Sequence, residues 1–268
     1  MKKIAVIGCV PRELDAAVFD CHHDVELIKF DNLPVNPQNL FFGFDTFIFM
    51  TIDVDQLSFL YDCVRQDCNV MFNNFSGSPE MHDFVIYAKG KNERGNIIKK
   101  LKVLEKDAAY NAFASKVKKK GDEIDNIFID ALFQRGTAQG DVDFWLNELA
   151  NTLTLYVGKI ERKLELLPGS VNSEKKEYTV IWDGPETKIE VSFVSPSVLA
   201  SKSARTDIRF SDKCELTFYS NSRPFATVTT PSIKISELDI PMKNYVGNLK
   251  DDLSDFFDKV LERDANKV

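Results

Sequence analysis

Residues 44–51 read Phe44-Asp45-Thr46-Phe47-Ile48-Phe49-Met50-Thr51, with four large apolar side chains in a row from Phe47 to Met50. A strand with one wet face alternates apolar and polar residues. An unbroken apolar run suits a strand covered on both faces, as in a parallel sheet flanked by helices. Working upstream, residues 3–9 around Ile4-Ala5-Val6-Ile7 predict a first strand ending in Gly8, Leu14 to Asp20 a short helix, and Val25 to Phe30 a second strand that stops at Asp31. Working downstream, Asp55 to Gln66 carries Leu57, Leu60, Tyr61 and Val64 at helical spacing, and Asn69 to Phe72 reads as the next strand. Strand, helix and strand in this rhythm predict a doubly wound parallel α/β unit of Rossmann type over residues 1–95.

The stretch Lys89 to Gly95 has two glycines and no apolar residue, which makes it the expected boundary. Beyond it, Ile97 to Leu104 and Ile124 to Phe133 read as strands. Ala108 to Lys120 reads as a helix whose closing lysines before Gly121 suit the helix dipole and cap. Val142 to Tyr156 is a further helix with Trp145, Leu149 and Leu153 on one face. Strands are then expected at Lys159 to Leu166, Glu177 to Trp182, Lys188 to Val194, Thr206 to Phe210, Glu215 to Tyr219 and Phe225 to Val228. Turn signals at Pro168-Gly169, Asp183-Gly184-Pro185, Asn221-Ser222 and Pro231 separate them. Alternation such as Lys188-Ile189-Glu190-Val191-Ser192-Phe193 fits a sheet with one covered face. Residues 96–268 are therefore expected to form an α+β domain with a mostly antiparallel open sheet, closed by a helix at 245–261.

Composition narrows the function. The chain has 268 residues, 44% hydrophobic and 28% charged, so wholesale disorder is excluded. A net charge of −7 repels phosphate backbones and argues against a general nucleic-acid binder. No apolar stretch approaches the roughly 20 residues that span a bilayer, so no membrane role is expected. Met1-Lys2-Lys3 leads straight into Ile4-Ala5-Val6-Ile7, too short an apolar run for a secretory signal, which implies a cytoplasmic chain. The five cysteines (Cys9, Cys21, Cys63, Cys68, Cys214) have neither zinc nor redox spacing, and the three histidines (His22, His23, His82) do not make a ligand set. No metal site is expected.

Four segments carry a family resemblance. The turn Ile7-Gly8-Cys9-Val10-Pro11-Arg12-Glu13 stands where a dinucleotide fold keeps its glycine-rich phosphate turn, and Asp31 ends the second strand. Phe49-Met50-Thr51-Ile52-Asp53-Val54-Asp55-Gln56 runs out of the third strand, and Asn73-Asn74-Phe75 follows the fourth. The last segment is Gly136-Thr137-Ala138-Gln139-Gly140-Asp141-Val142-Asp143-Phe144-Trp145-Leu146-Asn147-Glu148. In this order they resemble the Gfo/Idh/MocA oxidoreductases, in which a Rossmann domain precedes an open-sheet domain. The resemblance is architectural over nearly the whole chain, and its chemistry-bearing positions are altered.

The resemblance assigns Gly8, Arg12, Asp31 and Thr51 to the cofactor side. Of the turn's glycines only Gly8 remains; Val10 puts a branched side chain where the pyrophosphate would lie, Pro11 lacks an amide donor, and Glu13 adds negative charge at the helix start. Arg12 could offset this by meeting a phosphate. Asp31 stands at the family's ribose-binding acid, although a strand-end aspartate is also a common turn former. Thr51 is retained from the family's Thr-Pro, while Ile52 replaces the proline and Gln56 a histidine. On the catalytic side the resemblance marks Asn74, Asp141, Trp145 and Glu148. Asn74 replaces the lysine of the family's Glu-Lys-Pro and brings no charge. Trp145 replaces the acid/base histidine, and an indole has one donor and no acceptor. Asp141 and Glu148 remain acidic; seven residues apart on one helix they share a face about 10 Å apart, and they read as a solvated or ion-paired stripe.

The sequence thus points to a divergent relative without standard hydride transfer and without NAD(P), acting as a binding or scaffold subunit. The family's usual contact suggests a homodimer, or a heterodimer with a related subunit, through the second sheet, with a small-molecule ligand as a further option. The alternative is an active NAD(P)-dependent oxidoreductase on a sugar-like or small carbonyl substrate, with Tyr110, His82 or Asp141 as proton donor.

Overall fold

The computed structural model describes residues 1–19, 24–50, 54–73, 79–92, 96–108, 110–112, 115, 126–134, 140–142, 144, 148, 165–171, 175–181, 186–194, 205–210, 214–219, 225–230, 233–239 and 242–266. Its strands begin with β1 (Lys2–Ile7), β2 (Val25–Phe30), β3 (Thr46–Phe49), β4 (Asn69–Phe72) and β5 (Ile98–Lys100). These five form a parallel sheet in the order β2-β1-β3-β4-β5. β3 and β4 are buried along their whole length, as the apolar run demanded.

One face of this sheet carries Ala5, Ile7, Phe47, Phe49, Val70 and Phe72, packed with Leu57, Leu60 and Val64 of α2 (Val54–Arg65) and with Phe84 and Ala88 of α3 (Pro79–Asn92). Phe84 meets Phe72 edge-on with ring centres 5.3 Å apart, and Phe59 of α2 meets Phe47 in the same way at 5.6 Å. Between β2 and β3 a short 3-10 turn, Pro37–Phe42, lays Leu40 and Phe41 on this core. The alternate residues Ile4, Val6, Ile48 and Met71 are equally buried. From β5, Lys99 on that opposite face reaches the last helix, α4 (Met242–Ala265).

α4 is pinned at several points. Buried Asp252 accepts the Lys102 N–H at 2.7 Å and lies 3.3 Å from the Lys99 ammonium. Asp255 pairs with both Lys99 and Lys259 at 2.9 Å, and these two ammonium groups hold its carboxyl down at about 2. At the amino edge of the sheet the Arg263 guanidinium donates to Asn69 Oδ1 and, at 3.2 Å, to Asn96 Oδ1. Asp264 pairs with Lys2, which also holds Asp45 at 2.8 Å. Burial alone would lower the Lys2 pKa; hydrogen bonds to Asp264 and Asp45 outweigh it and raise it.

The chain divides into two units. One comprises Met1–Phe75, Glu80–Val103 and Val246–Val268, the other Ser76–Pro79 with Leu104–Tyr245. The division therefore falls at 103/104 rather than at 95/96, and most of the terminal helix joins the first unit instead of the second. The physical reason is the polar anchoring of α4 on β4, β5 and β1 just described. The polar stretch expected as the boundary, Lys89 to Gly95, begins as the charged last turn of α3, which carries Lys89 and Lys91.

In the second unit β6 (Asn126–Gln134), β7 (Glu165–Val171), β8 (Lys175–Ile181), β9 (Glu186–Val194), β10 (Arg205–Phe210), β11 (Cys214–Tyr219), β12 (Phe225–Thr230) and β13 (Ile233–Asp239) make one sheet. Its order is β13-β12-β11-β10-β6-β9-β8-β7. β6 and β9 run parallel, and the neighbours on either side pair antiparallel. Pro168-Gly169, expected as a turn, lies inside β7, where the pairing with β8 slips between Pro168 and Val171. Proline cannot donate to the ladder, so a strand containing one tolerates it at an edge or an irregularity; β7 is an edge strand. Among the described residues no helix is long and apolar enough to cross a membrane.

Candidate functional site

In an open parallel sheet, ligands bind outside the carboxyl ends of the strands where the strand order reverses. Here the chain moves from β1 outward to β2 and then crosses back to β3 on the other side of β1, so the reversal lies between β1 and β3. Gly8 leaves β1 at this point with φ 98°, a backbone conformation open to glycine and strained for any side chain. Its N–H donates to the Phe30 carbonyl at 2.9 Å, and the Met50 N–H donates to the Ile7 carbonyl at 2.8 Å. The ladder is thereby carried one step past the strands, and Gly8, the Phe30–Asp31 corner and Met50 meet at one edge.

Three positions of the turn that follows offer no backbone donor to a ligand. Pro11 has no N–H, the Gly8 N–H is taken by Phe30, and the Leu14 N–H is taken by the Pro11 carbonyl at 2.8 Å. Helix α1 (Arg12–Phe19) starts behind that contact and turns Leu14, Ala17 and Val18 inward. Val10 is only 5% exposed. The branched side chain expected to block the pyrophosphate is therefore packed away from solvent. Backbone N–H groups at a helix start are what hold a pyrophosphate, and Pro11 removes one of them from this turn. Cys9, half-buried and in no disulfide, lies beside it.

Asp31 is exposed and lies 3.4 Å from the Lys29 ammonium, which also meets Asp15 at 3.5 Å and covers the Phe19 ring at 5.7 Å. Burial would lower the Lys29 pKa; Asp15 and Asp31 outweigh it and raise it, so the charge between the two carboxylates is firmly held. A ribose hydroxyl seeking Asp31 would compete with this lysine. Nothing in the local pattern distinguished Lys29 beforehand, because its partner Asp15 lies fourteen residues away on α1.

The remaining expected site residues divide as follows. Thr51, Asn74 and Trp145 lie outside the described residues, as does the Arg12 side chain, although the Arg12 backbone opens α1. Asp141 is half-buried, whereas Glu148 is 5% exposed. Of the solvated or ion-paired stripe expected here, the solvated reading is corrected at Glu148: Tyr245, itself 1% exposed, is hydrogen-bonded to its carboxylate. Burial first, and the Glu148 charge second, push the Tyr245 phenol well above its ordinary range, so it stays a neutral donor. The sequence offers no motif to join Tyr245 to Glu148, ninety-seven positions away. Among the described residues no group of three histidine, cysteine, aspartate or glutamate side chains could hold a metal.

No protein-family model matches the sequence, and no curated protein is similar to it. Similarity is found among solved structures. The chain is similar to KijD10, described as a 3-ketoreductase from Actinomadura kijaniata (K102E mutant, in complex with TDP-benzene and NADP), at 10% identity and a TM-score of 0.53, covering 98% of this chain and 90% of that one. It is similar to the UDP-N-acetylglucosamine 3-dehydrogenase GnnA from Acidithiobacillus ferrooxidans at 12% identity and a TM-score of 0.51, covering 97% and 89%. An oxidoreductase from Pseudomonas syringae matches at 9% identity and a TM-score of 0.50, covering 93% and 85%. These are oxidoreductases of Gfo/Idh/MocA type, and the fold of this chain is theirs. At such identities the likeness defines the architecture and leaves the chemistry to the site.

Proposed function

We propose that this chain is an oxidoreductase-fold protein that lacks standard hydride transfer and serves as a binding or scaffold subunit. The observation that carries this reading is the turn after Gly8, in which Pro11 has no amide and the Leu14 amide is already used. The resemblance adds Asn74 in place of the family's lysine and Trp145 in place of its histidine. Losing one general acid/base group costs about 10²–10⁴ in rate, and here the charged and the titratable partner are both replaced. The subunit is proposed to work in the cytoplasm and to associate, as a homodimer or with a related chain, through its second sheet.

The test is calorimetry with NADH and NADPH on the full chain, with absorbance at the nicotinamide band followed in parallel. This reading expects no binding heat at millimolar nucleotide. Micromolar binding with oxidation of the nucleotide in the presence of a sugar-like or small carbonyl substrate would restore the enzyme reading. One observation favours a second reading: Gly8 keeps the backbone conformation that a tight phosphate turn needs. A chain that binds a nucleotide or sugar without turnover would show heat and no absorbance change.

A further inference from the structure

We infer that the end of α2 pairs Cys63 with Cys68 as a dithiol, which closes into a disulfide in exchange with a small disulfide such as oxidised glutathione. The helix stops in a closed cap. The Cys68 N–H donates to the Cys63 carbonyl at 3.0 Å and the Asp67 N–H to the Val64 carbonyl at 3.3 Å, with Asp67 in the left-handed region at φ 57°. These are the two bonds of a Schellman cap, whose first and last positions commonly hold an apolar side-chain contact. Here those two positions are thiols. Cys63 is wholly buried and Cys68 is 4% exposed, both belong to one core cluster, and neither is in a disulfide. Five positions apart, they match no redox spacing in the sequence; the cap brings them together.

The two sulfurs differ in access. Cys68 stands at the amino edge of the sheet, one residue before the Asn69 junction, where the Arg263 and Lys2 charges act against the effect of its burial. It is the sulfur that an oxidant meets first, when the last turn of α2 opens locally. The Cys68 thiolate attacks one sulfur of oxidised glutathione, and the other half leaves as glutathione. The Cys63 thiolate then attacks the Cys68 sulfur and expels the second glutathione. The protein pair loses two electrons, its two protons pass to the leaving thiols, and one glutathione disulfide becomes two glutathiones. Because opening is infrequent, the exchange is slow. Reclosing of the cap then shields the bridge, which ties the end of α2 to the first turn of chain before β4.

The test incubates the full chain in mixtures of reduced and oxidised glutathione, starting once from reduced protein and once from protein oxidised in urea and refolded. Samples are quenched by alkylation and digested with trypsin. Cleavage after Arg65 leaves Cys63 in peptide 30–65 and Cys68 in peptide 66–89, each with no other cysteine, so the bridge is read as that linked pair. Both directions should converge on the linked pair, with an equilibrium constant about tenfold larger in the folded protein than in urea. The bridged protein should also unfold at a higher urea midpoint, and Cys63→Ala and Cys68→Ala should each remove that rise. Convergence on free thiols or on glutathione adducts would overturn the inference. So would a bridge that uses Cys9, Cys21 or Cys214 instead, or an equilibrium constant no larger folded than unfolded.

Discussion

Arg263→Ala tests how the terminal helix is held. In the parent protein the guanidinium fork spans two side-chain carbonyls, Asn69 Oδ1 and Asn96 Oδ1, on residues 2% and 3% exposed. Asn69 is a junction: its amide donates to Thr46 Oγ1 at 3.2 Å, and its Oδ1 also accepts the Ile97 N–H at 3.3 Å. Asn96 in turn donates to Asp67 Oδ1 at 3.2 Å. Hydrogen bonds to a charged group contribute about 1.5–3 kcal/mol each. Asn69 keeps a donor after the truncation, and Arg263 is itself half-exposed, so water replaces part of what is lost. The expected loss is about 2–3 kcal/mol, nearer the cost of one full contact than two. Arg263→Lys should lose nearly as much, because an ammonium offers no planar fork to two carbonyls. Urea unfolding followed by circular dichroism, with the slope unchanged, gives the difference directly. A loss below about 0.5 kcal/mol, or a lysine variant equal to the parent, would refute the assignment of Arg263 as the clamp.

Other outcomes follow from the same contacts. Gly8→Ala forces a side chain into φ 98° and should cost about 1–3 kcal/mol, read from the same urea curves. Asp255 has a folded pKa of about 2, below its unfolded value of 3.8, so its contribution is complete above pH 4 and disappears as pH falls through 2. Its carboxylate is 47% exposed and screened, so Asp255→Asn should shrink the acid loss by only a few tenths of a kcal/mol. Cys63 and Cys68 are buried, and burial raises both thiols, that of Cys68 to about 12. Both should resist a thiol reagent at pH 8 in the folded protein and react on unfolding, as mass mapping of the labelled peptides would show.

Much of the first unit was legible because its physics is local. β2 and β4 have the bounds that their apolar runs set, and α2 differs from the expected span by one residue at each end. What escaped depends on partners distant in sequence. α3 was not delineated: its apolar residues do not gather on one stripe, and Tyr61 and Phe72, against which Phe84 packs, come from other elements. β13 went unread after Pro231; its neighbour β12 slips register between Thr227 and Val228, and no turn dipeptide announces the pair. Leu249, Leu253, Phe256, Phe257 and Val260 give α4 a buried face at helical spacing, but periodicity does not say what covers a face; Asp252 and Arg263 decide that. At the site, the resemblance marks Val10 and Glu13 as departures from a glycine-rich turn, whereas the burial of Val10 and the pairing of Asp31 with Lys29 depend on the folded chain.

The most direct measurement is a titration of the full chain with NADPH and NADH by calorimetry, repeated with Pro11→Gly, which returns an amide to the turn. The account predicts no heat from the parent protein at millimolar nucleotide. Micromolar binding by the parent, with the nicotinamide oxidised on adding a carbonyl substrate, would contradict it.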